Sequence, residues 1–232
     1  MGRSLRAVFF DLDDTLIDHS GAERQAVHRF YEEFGARETG LELASFFAQW
    51  AGASRHHLAR YLAGSIDFQA QRRARMRQLF GRELSDAAAD QHFARYLRHY
   101  AANWRAFDDV LPCLERLGTC FRGVISNGDA AQQRQKLGAT GLLSYFDDVV
   151  VPGGSCPAKP KRAIFERACR RAGVPLGSAL HVGDSLNADY HGAVSAGLKA
   201  LLLARHEPAS SPGITQIRSL AELPEFIDGL AC

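Results

Sequence analysis

No run in this chain approaches the roughly 20 consecutive apolar residues that a membrane-spanning helix requires, so no membrane partner is expected. The opening MGRSLRAVFFDLDD lacks the apolar stretch of a secretory signal, and a cytoplasmic protein is expected. Neither charge is in excess: a net +2 is too mild to point to nucleic acid. The five cysteines (Cys113, Cys120, Cys156, Cys169 and Cys232) include no C-x-x-C pair, and their odd number argues against a disulfide framework and against a zinc site. No GxSxG, HExxH or GxGxxG occurs, which removes the usual marks of a serine hydrolase, a zincin and a dinucleotide enzyme. GAVSAGLK nearly makes a phosphate loop, but no lysine directly follows Gly197. Proline is absent from Met1 to Leu111, so nearly half of the chain is free of the strongest helix breaker.

Among what is present, 232 residues at 46% hydrophobic composition allow one large domain, or a core carrying a smaller insertion. RAVFF (6–10) is a short apolar, β-rich run, and four similar runs follow only after residue 119: CFRGVIS (120–126), DVVVP (148–152), ALHVGD (179–184) and KALLLA (199–204). Each is apolar on both faces, as in the central strands of a parallel sheet. Helical patterns separate them: AAQQRQKLGA, KRAIFERACRRAG and NADYHGAVSAG. This alternation predicts an α/β fold, a Rossmann-like parallel sheet flanked by helices. About a hundred residues between the first and second strands exceed what one crossover needs. AERQAVHRFYEEFG and SDAAADQHFARYLRHYAANW carry helical spacing there, the second capped by Ser85 or Asp86. A helical-bundle cap domain over 19–107 is therefore expected, inserted into a core of 1–18 and 108–232, with 108–118 the helix returning to the sheet. PASSPG (208–213) reads as a surface loop. The basic residues are nearly all arginine, densest in QRRARMRQLFGR, where a solvated helical face is expected. The other reading is that Arg72, Arg73 or Arg75 reaches an anionic substrate.

The polar residues at the strand ends decide the chemistry. Asp11, Asp13 and Thr15 follow the first strand, Ser126 and Asn127 end the second, Lys159 lies beyond the third, and Asp184 ends the fourth, with Asp189 five residues on. A parallel sheet carries all of its strand C-termini to one edge, so these side chains share a crevice. Carboxylates gathered there repel unless a cation sits among them. Oxygen ligands without clustered His or Cys suit Mg2+ better than zinc. A calcium loop beginning at Asp11 fails, because its sixth and twelfth positions are Leu16 and Ala22.

The segments FFDLDDTLID, ISNGD, AKPKRAIF and HVGDSLNADYHGAVSAGLKA, in this order and at strand ends, resemble the haloacid dehalogenase-like (HAD) hydrolases. The likeness covers the whole chain, since the helical insertion matches that superfamily's cap. It implies Asp11 as nucleophile, forming an aspartyl-phosphate, and Asp13 as the acid that protonates the leaving oxygen and then the base for water. It implies Thr15, Ser126 and the Asn127 N–H as partners of the nucleophile and the phosphoryl oxygens, and Lys159 as the offsetting charge. It further implies Mg2+ on Asp11, Asp184 and the Asp13 carbonyl, supported by Asp189. Pro160 is followed here by Lys161, where the family's pattern often has an acidic residue, and Lys161 is expected to face solvent. Asp14 and Asp18 are expected to be turn or cap residues, and His181 a packed core residue. His56, His57, Trp50 and Trp104 are expected to be packing residues of the cap.

A halide leaving group needs no acid, whereas an alkoxide does, so Asp13 favours phosphate esters over dehalogenation. The expected activity is a magnesium-dependent phosphohydrolase acting on a small phosphorylated metabolite, with a monomer or homodimer as assembly. A cap closing as a lid would favour small esters over phosphoproteins. A sugar phosphomutase of the same superfamily is the alternative. From a different class, a signalling or binding module is disfavoured, because Asp11 and Asp13 lie on one strand end.

Overall fold

The computed structural model describes residues 5–81, 83–154, 156–205 and 213–230; PASSPG lies outside them apart from Gly213, as does Cys232. The chain divides into two compact units, Met1–Asp18 with Arg105–Cys232, and His19–Trp104.

The first unit is built on six strands: β1 (Ala7–Phe10), β2 (Phe121–Ile125), β3 (Asp148–Val150), β4 (Ala179–Gly183), β5 (Lys199–Leu203) and β6 (Gln216–Ile217). They form one parallel sheet in the order β3-β2-β1-β4-β5-β6. The side chains of β1 alternate between two cores, as the pleat requires. Val8 and Phe10 pack with Val124, Leu180, Val182 and Leu201, while Ala7 and Phe9 pack with Ile125, Val150, Ile164 and Phe165. Gly123 on β2 makes room for this, since a Cβ there would lie 2.6 Å from the Phe9 ring.

The five expected strands are present, each one or two residues shorter than its apolar run, and β6 was not foreseen. Helices α6 (Val110–Arg116), α7 (Ala130–Ala139), α8 (Arg162–Ala172), α9 (Gly192–Ala196) and α10 (Leu223–Leu230) belong to this unit, and the five that precede them in the chain to the other. The segment expected as one helix after β4 opens with a wide turn, Leu186–His191, before α9. Both Asp189 and Tyr190 donate their N–H to Ser185 O in that turn.

The second unit holds α1 (His19–Phe30), a wide turn at Tyr31–Gly35, α2 (Ala36–Thr39), α3 (Leu43–Leu62), α4 (Phe68–Phe80) and α5 (Asp86–Ala102). Asp67 caps α4 by accepting from Ala70 N at 2.7 Å, and Ser85 caps α5 by accepting from Ala88 N at 3.2 Å. The unit has its own core, in which Phe30 meets Phe46, Trp50, Phe80 and Tyr96. On α4, Arg73 and Arg77 pair with Asp86 on an exposed side, as expected of a solvated face, whereas Arg72 and Arg75 lie against rings. Arg73 bonds Asp86 and Asp90, Arg72 lies over the Phe68 and Phe93 rings, and Arg75 lies over Trp50, 3.5 Å from Glu23. No helix among the described residues is long and apolar enough to cross a membrane.

Candidate active site

Strand order reverses between β1 and β4: the chain moves from β1 outward to β2 and β3, then returns to β4 beside β1. The carboxyl ends of strands flanking such a switch point frame a crevice. Asp11 leaves β1 there, its N–H donating to Val182 O at 2.8 Å, and Asp184 leaves β4.

Lys159 is buried between carboxylates. Its ammonium donates to Asp11 Oδ1, to Asp189 Oδ1 at 2.7 Å and to Ile125 O at 2.7 Å, using all three of its protons. Asn127 fixes the Lys159 backbone from both sides, donating to its carbonyl at 3.1 Å and accepting from its N–H at 2.8 Å. Lys161, by contrast, is exposed. Asp189 is anchored in turn by His181 Nε2 at 2.9 Å and by Ser185 N at 3.0 Å. His181 packs edge-on against Phe165, as a core residue would, and holds Asp189 besides. Burial pushes its pKa down, and the neutral ring donates from Nε2.

The loop after β1 turns back on itself. Leu16 N and Ile17 N both donate to Leu12 O at 3.0 Å, and Asp14 takes the left-handed conformation (φ 61°) that aspartate tolerates in turns. This brings Asp13 to α7, where Lys136 Nζ meets Oδ1 at 2.5 Å and Gln133 Nε2 meets Oδ2 at 2.8 Å. The same Gln133 amide donates to Ser126 Oγ at 2.6 Å, and Gly128 N donates to that oxygen at 3.3 Å. Thr15 goes to Asp184 and not to Asp11. Its hydroxyl donates to Asp184 Oδ1 at 3.0 Å and accepts from Asp184 N at 3.1 Å.

Asp11, Asp184 and Asp189 each offer a carboxylate oxygen within 4.8 Å of the others. Burial pushes the Asp11 carboxyl well above the ordinary range; Lys159 opposes this, and Asp189, Asp184 and Asp13 add to it. Asp184 is pushed up to about 6, first by the protein packed around its carboxyl and then by Asp189, although the residue keeps access to solvent. Asp189 moves the other way: burial opposes its ionisation, but Lys159 and His181 hold it far below the usual range. Lys159 stays an ammonium because Asp11 and Asp189 outweigh its burial. Three carboxylates this close repel one another, and a hard divalent cation fits this all-oxygen donor set. Both oxygens of Asp189 are already hydrogen-bonded, Oδ1 to Lys159 and His181 and Oδ2 to the Ser185 N–H.

All eight residues expected from the sequence are therefore drawn to this edge, although Thr15 and the Asn127 side chain act on Asp184 and Lys159. Gln133 and Lys136 were not foreseen. The family model described as haloacid dehalogenase-like hydrolase matches residues 5–197. The chain belongs to this family. Over 242 residues this HAD-like hydrolase is 29% identical to human N-acylneuraminate-9-phosphatase, covering 100% of this chain and 98% of the relative. It is 28% identical to a glyceraldehyde 3-phosphate phosphatase of Methanothermobacter thermautotrophicus, covering 96% of this chain and all of that one. Its fold matches the HAD-hydrolase YfnB of Bacillus subtilis, a structure described as bound to magnesium, with a TM-score of 0.77 at 23% identity over 97% of this chain and 99% of that one.

Proposed function

We propose that this HAD-like hydrolase is a magnesium-dependent phosphatase of small phosphorylated metabolites, working through an aspartyl-phosphate on Asp11. The observation that carries the reading is that two carboxylates of one loop meet separate cations, Asp11 on Lys159 and Asp13 on Lys136, with the Gln133 amide on the second oxygen of Asp13. Asp11 has Oδ1 engaged by Lys159, which leaves Oδ2 for the phosphorus. Lys159 orients the nucleophile and balances its charge. Asp13, partly open to solvent, enters the cycle as the carboxylic acid against the pull of Lys136, gives that proton to the departing ester oxygen and then regains one from the water that cleaves the phosphoenzyme. Ser126 Oγ accepts from Gln133 and Gly128, so its own proton is available for a phosphoryl oxygen. Asp11, Asp184 and the Asp13 carbonyl would hold Mg2+, and Asp189 supports them. When bound there, the ion would supply positive charge for the phosphoryl oxygens of the ester.

The test is phosphate release from a panel of phosphomonoesters, among them N-acylneuraminate 9-phosphate and glyceraldehyde 3-phosphate, the esters in the relatives' names. Release requires Mg2+, stops with EDTA, and falls by about 10⁴-fold or more in Asp11→Asn. Isomerised sugar phosphate in place of free phosphate would move the reading to a mutase. No metal- and Asp11-dependent turnover of any ester would remove it.

A further inference from the structure

We propose that Lys136 and Gln133 are positioning residues for Asp13, a two-pronged grip on α7 that aims its carboxyl at the ester oxygen. The inference rests on Asp13 serving as the acid and base proposed above. Asp129 starts α7 by accepting from Gln132 N at 3.0 Å, and Gln133, Lys136 and Leu137 form the helix's buried face. Leu137 is what packing alone would select there. Gln133 is fully buried and Lys136 only 2% exposed, and a buried ammonium is costly unless it is paired.

Their donors meet different oxygens of one carboxylate. Lys136 takes Oδ1 and Gln133 takes Oδ2, which fixes the rotation of the group as one contact could not. The Gln133 amide spends its second proton on Ser126 Oγ, so the same side chain sets Asp13 in register with the hydroxyl proposed to meet the phosphoryl group. The backbone has left space for this arrangement: a Cβ on Gly128 would fall 2.3 Å from Gln133 Nε2. Asp13 keeps a side-chain exposure of 28%, so solvent reaches the group although Lys136 is buried. Proton transfer depends steeply on such placement, and a shift of about 1 Å can lower a rate by about 100-fold.

The experiment uses leaving groups. The steps up to phosphoenzyme formation set kcat/KM, and 2,4-dinitrophenolate departs without a proton whereas an alkoxide does not. In Lys136→Met and Gln133→Met, kcat/KM for an alkyl phosphate is expected to fall about 100-fold, while that for 2,4-dinitrophenyl phosphate falls less than about fivefold. Retained turnover of the second ester also reports an intact fold, and the glutamine variant carries the test if the lysine variant does not fold. Equal losses on both esters overturn the inference. Asp13→Asn separates the two levels. If it shows the selective loss and the α7 variants do not, the positioning role falls alone. If Asp13→Asn shows no selectivity, the acid assignment falls with it.

Discussion

Gly183, the last residue of β4, shows how little room the site allows a single atom. A Cβ there would stand 2.3 Å from the Asp189 carboxyl carbon and 2.7 Å from its Cβ. Asp189 cannot swing aside, because Lys159, His181 and the Ser185 N–H hold it. Gly183→Ala is therefore expected to cost about 1–3 kcal/mol through overpacking. By loosening Lys159 it should lower turnover at least about tenfold, on the scale that misplaced catalytic groups show. Thermal melting and phosphatase assays of one preparation check both effects, and unchanged turnover would separate Asp189 from the chemistry. At this scale the sequence exposed the residues that follow strands directly, Asp11 and Asp184, and with them Lys159 in the loop beyond β3, where a parallel sheet carries its strand ends to one edge. Gln133 and Lys136 were hidden, because helical spacing does not say whether a polar residue lies on the inner or outer face. One signal was available. Where nearly all cations are arginine, a lysine kept inside AAQQRQKLGA marks a compact point charge chosen over a planar one.

Elements are tied together at Asp109, which precedes α6. It accepts both prongs of the Arg205 guanidinium, at 2.8 and 2.9 Å, together with Ser219 Oγ at 2.7 Å and Leu220 N at 2.9 Å. Arg205 also donates to Thr15 O at 2.8 Å, so the end of β5, the start of α6, the approach to α10 and the loop after β1 meet at one ion pair. Burial alone would raise the Asp109 carboxyl, but the Arg205 and Ser219 hydrogen bonds outweigh it and hold it below the ordinary range. A depressed folded value means the stabilisation is fully present above the unfolded carboxyl's pKa and is lost as pH falls through the folded one. Asp109→Asn should therefore melt lower than the parent at pH 7, with the gap narrowing on acidification below about pH 4, the ordinary carboxylate range. Melting curves across that window test it, and a gap independent of pH would show that shape rather than charge matters there. Elements were legible in proportion to their length. β1 to β5 announce themselves as apolar runs, whereas the two residues of β6 are too few to show a period. The wide turn at Leu186–His191 read as plain helix because its donors shift by only one residue.

Across the whole molecule, the insertion expected over 19–107 rests on its length and its lack of proline, and the second compact unit runs His19–Trp104. Residues 105–107 belong with the sheet unit, since Asp18 N donates to Arg105 O at 3.1 Å, Ile17 pairs with Ala106, and Phe107 N donates to Leu16 O at 3.1 Å. Their partners are the irregular loop after β1, which carries no strand pattern, so nothing in the sequence marked them. Each unit closes its own apolar core, with Phe30 central to the helical one and Phe10 within the sheet's. Separate cores imply separable stability. Phe30 is fully buried among Phe34, Phe46, Trp50, Phe80 and Tyr96, and truncating it to alanine is expected to remove about 3–5 kcal/mol from the unit that contains it. In Phe30→Ala, amide hydrogen exchange should accelerate across 19–104 while β1, β2 and β4 keep their protection. Exchange rising equally in both units would instead mean that the chain unfolds as one cooperative body, and that the helical unit borrows its stability from the sheet.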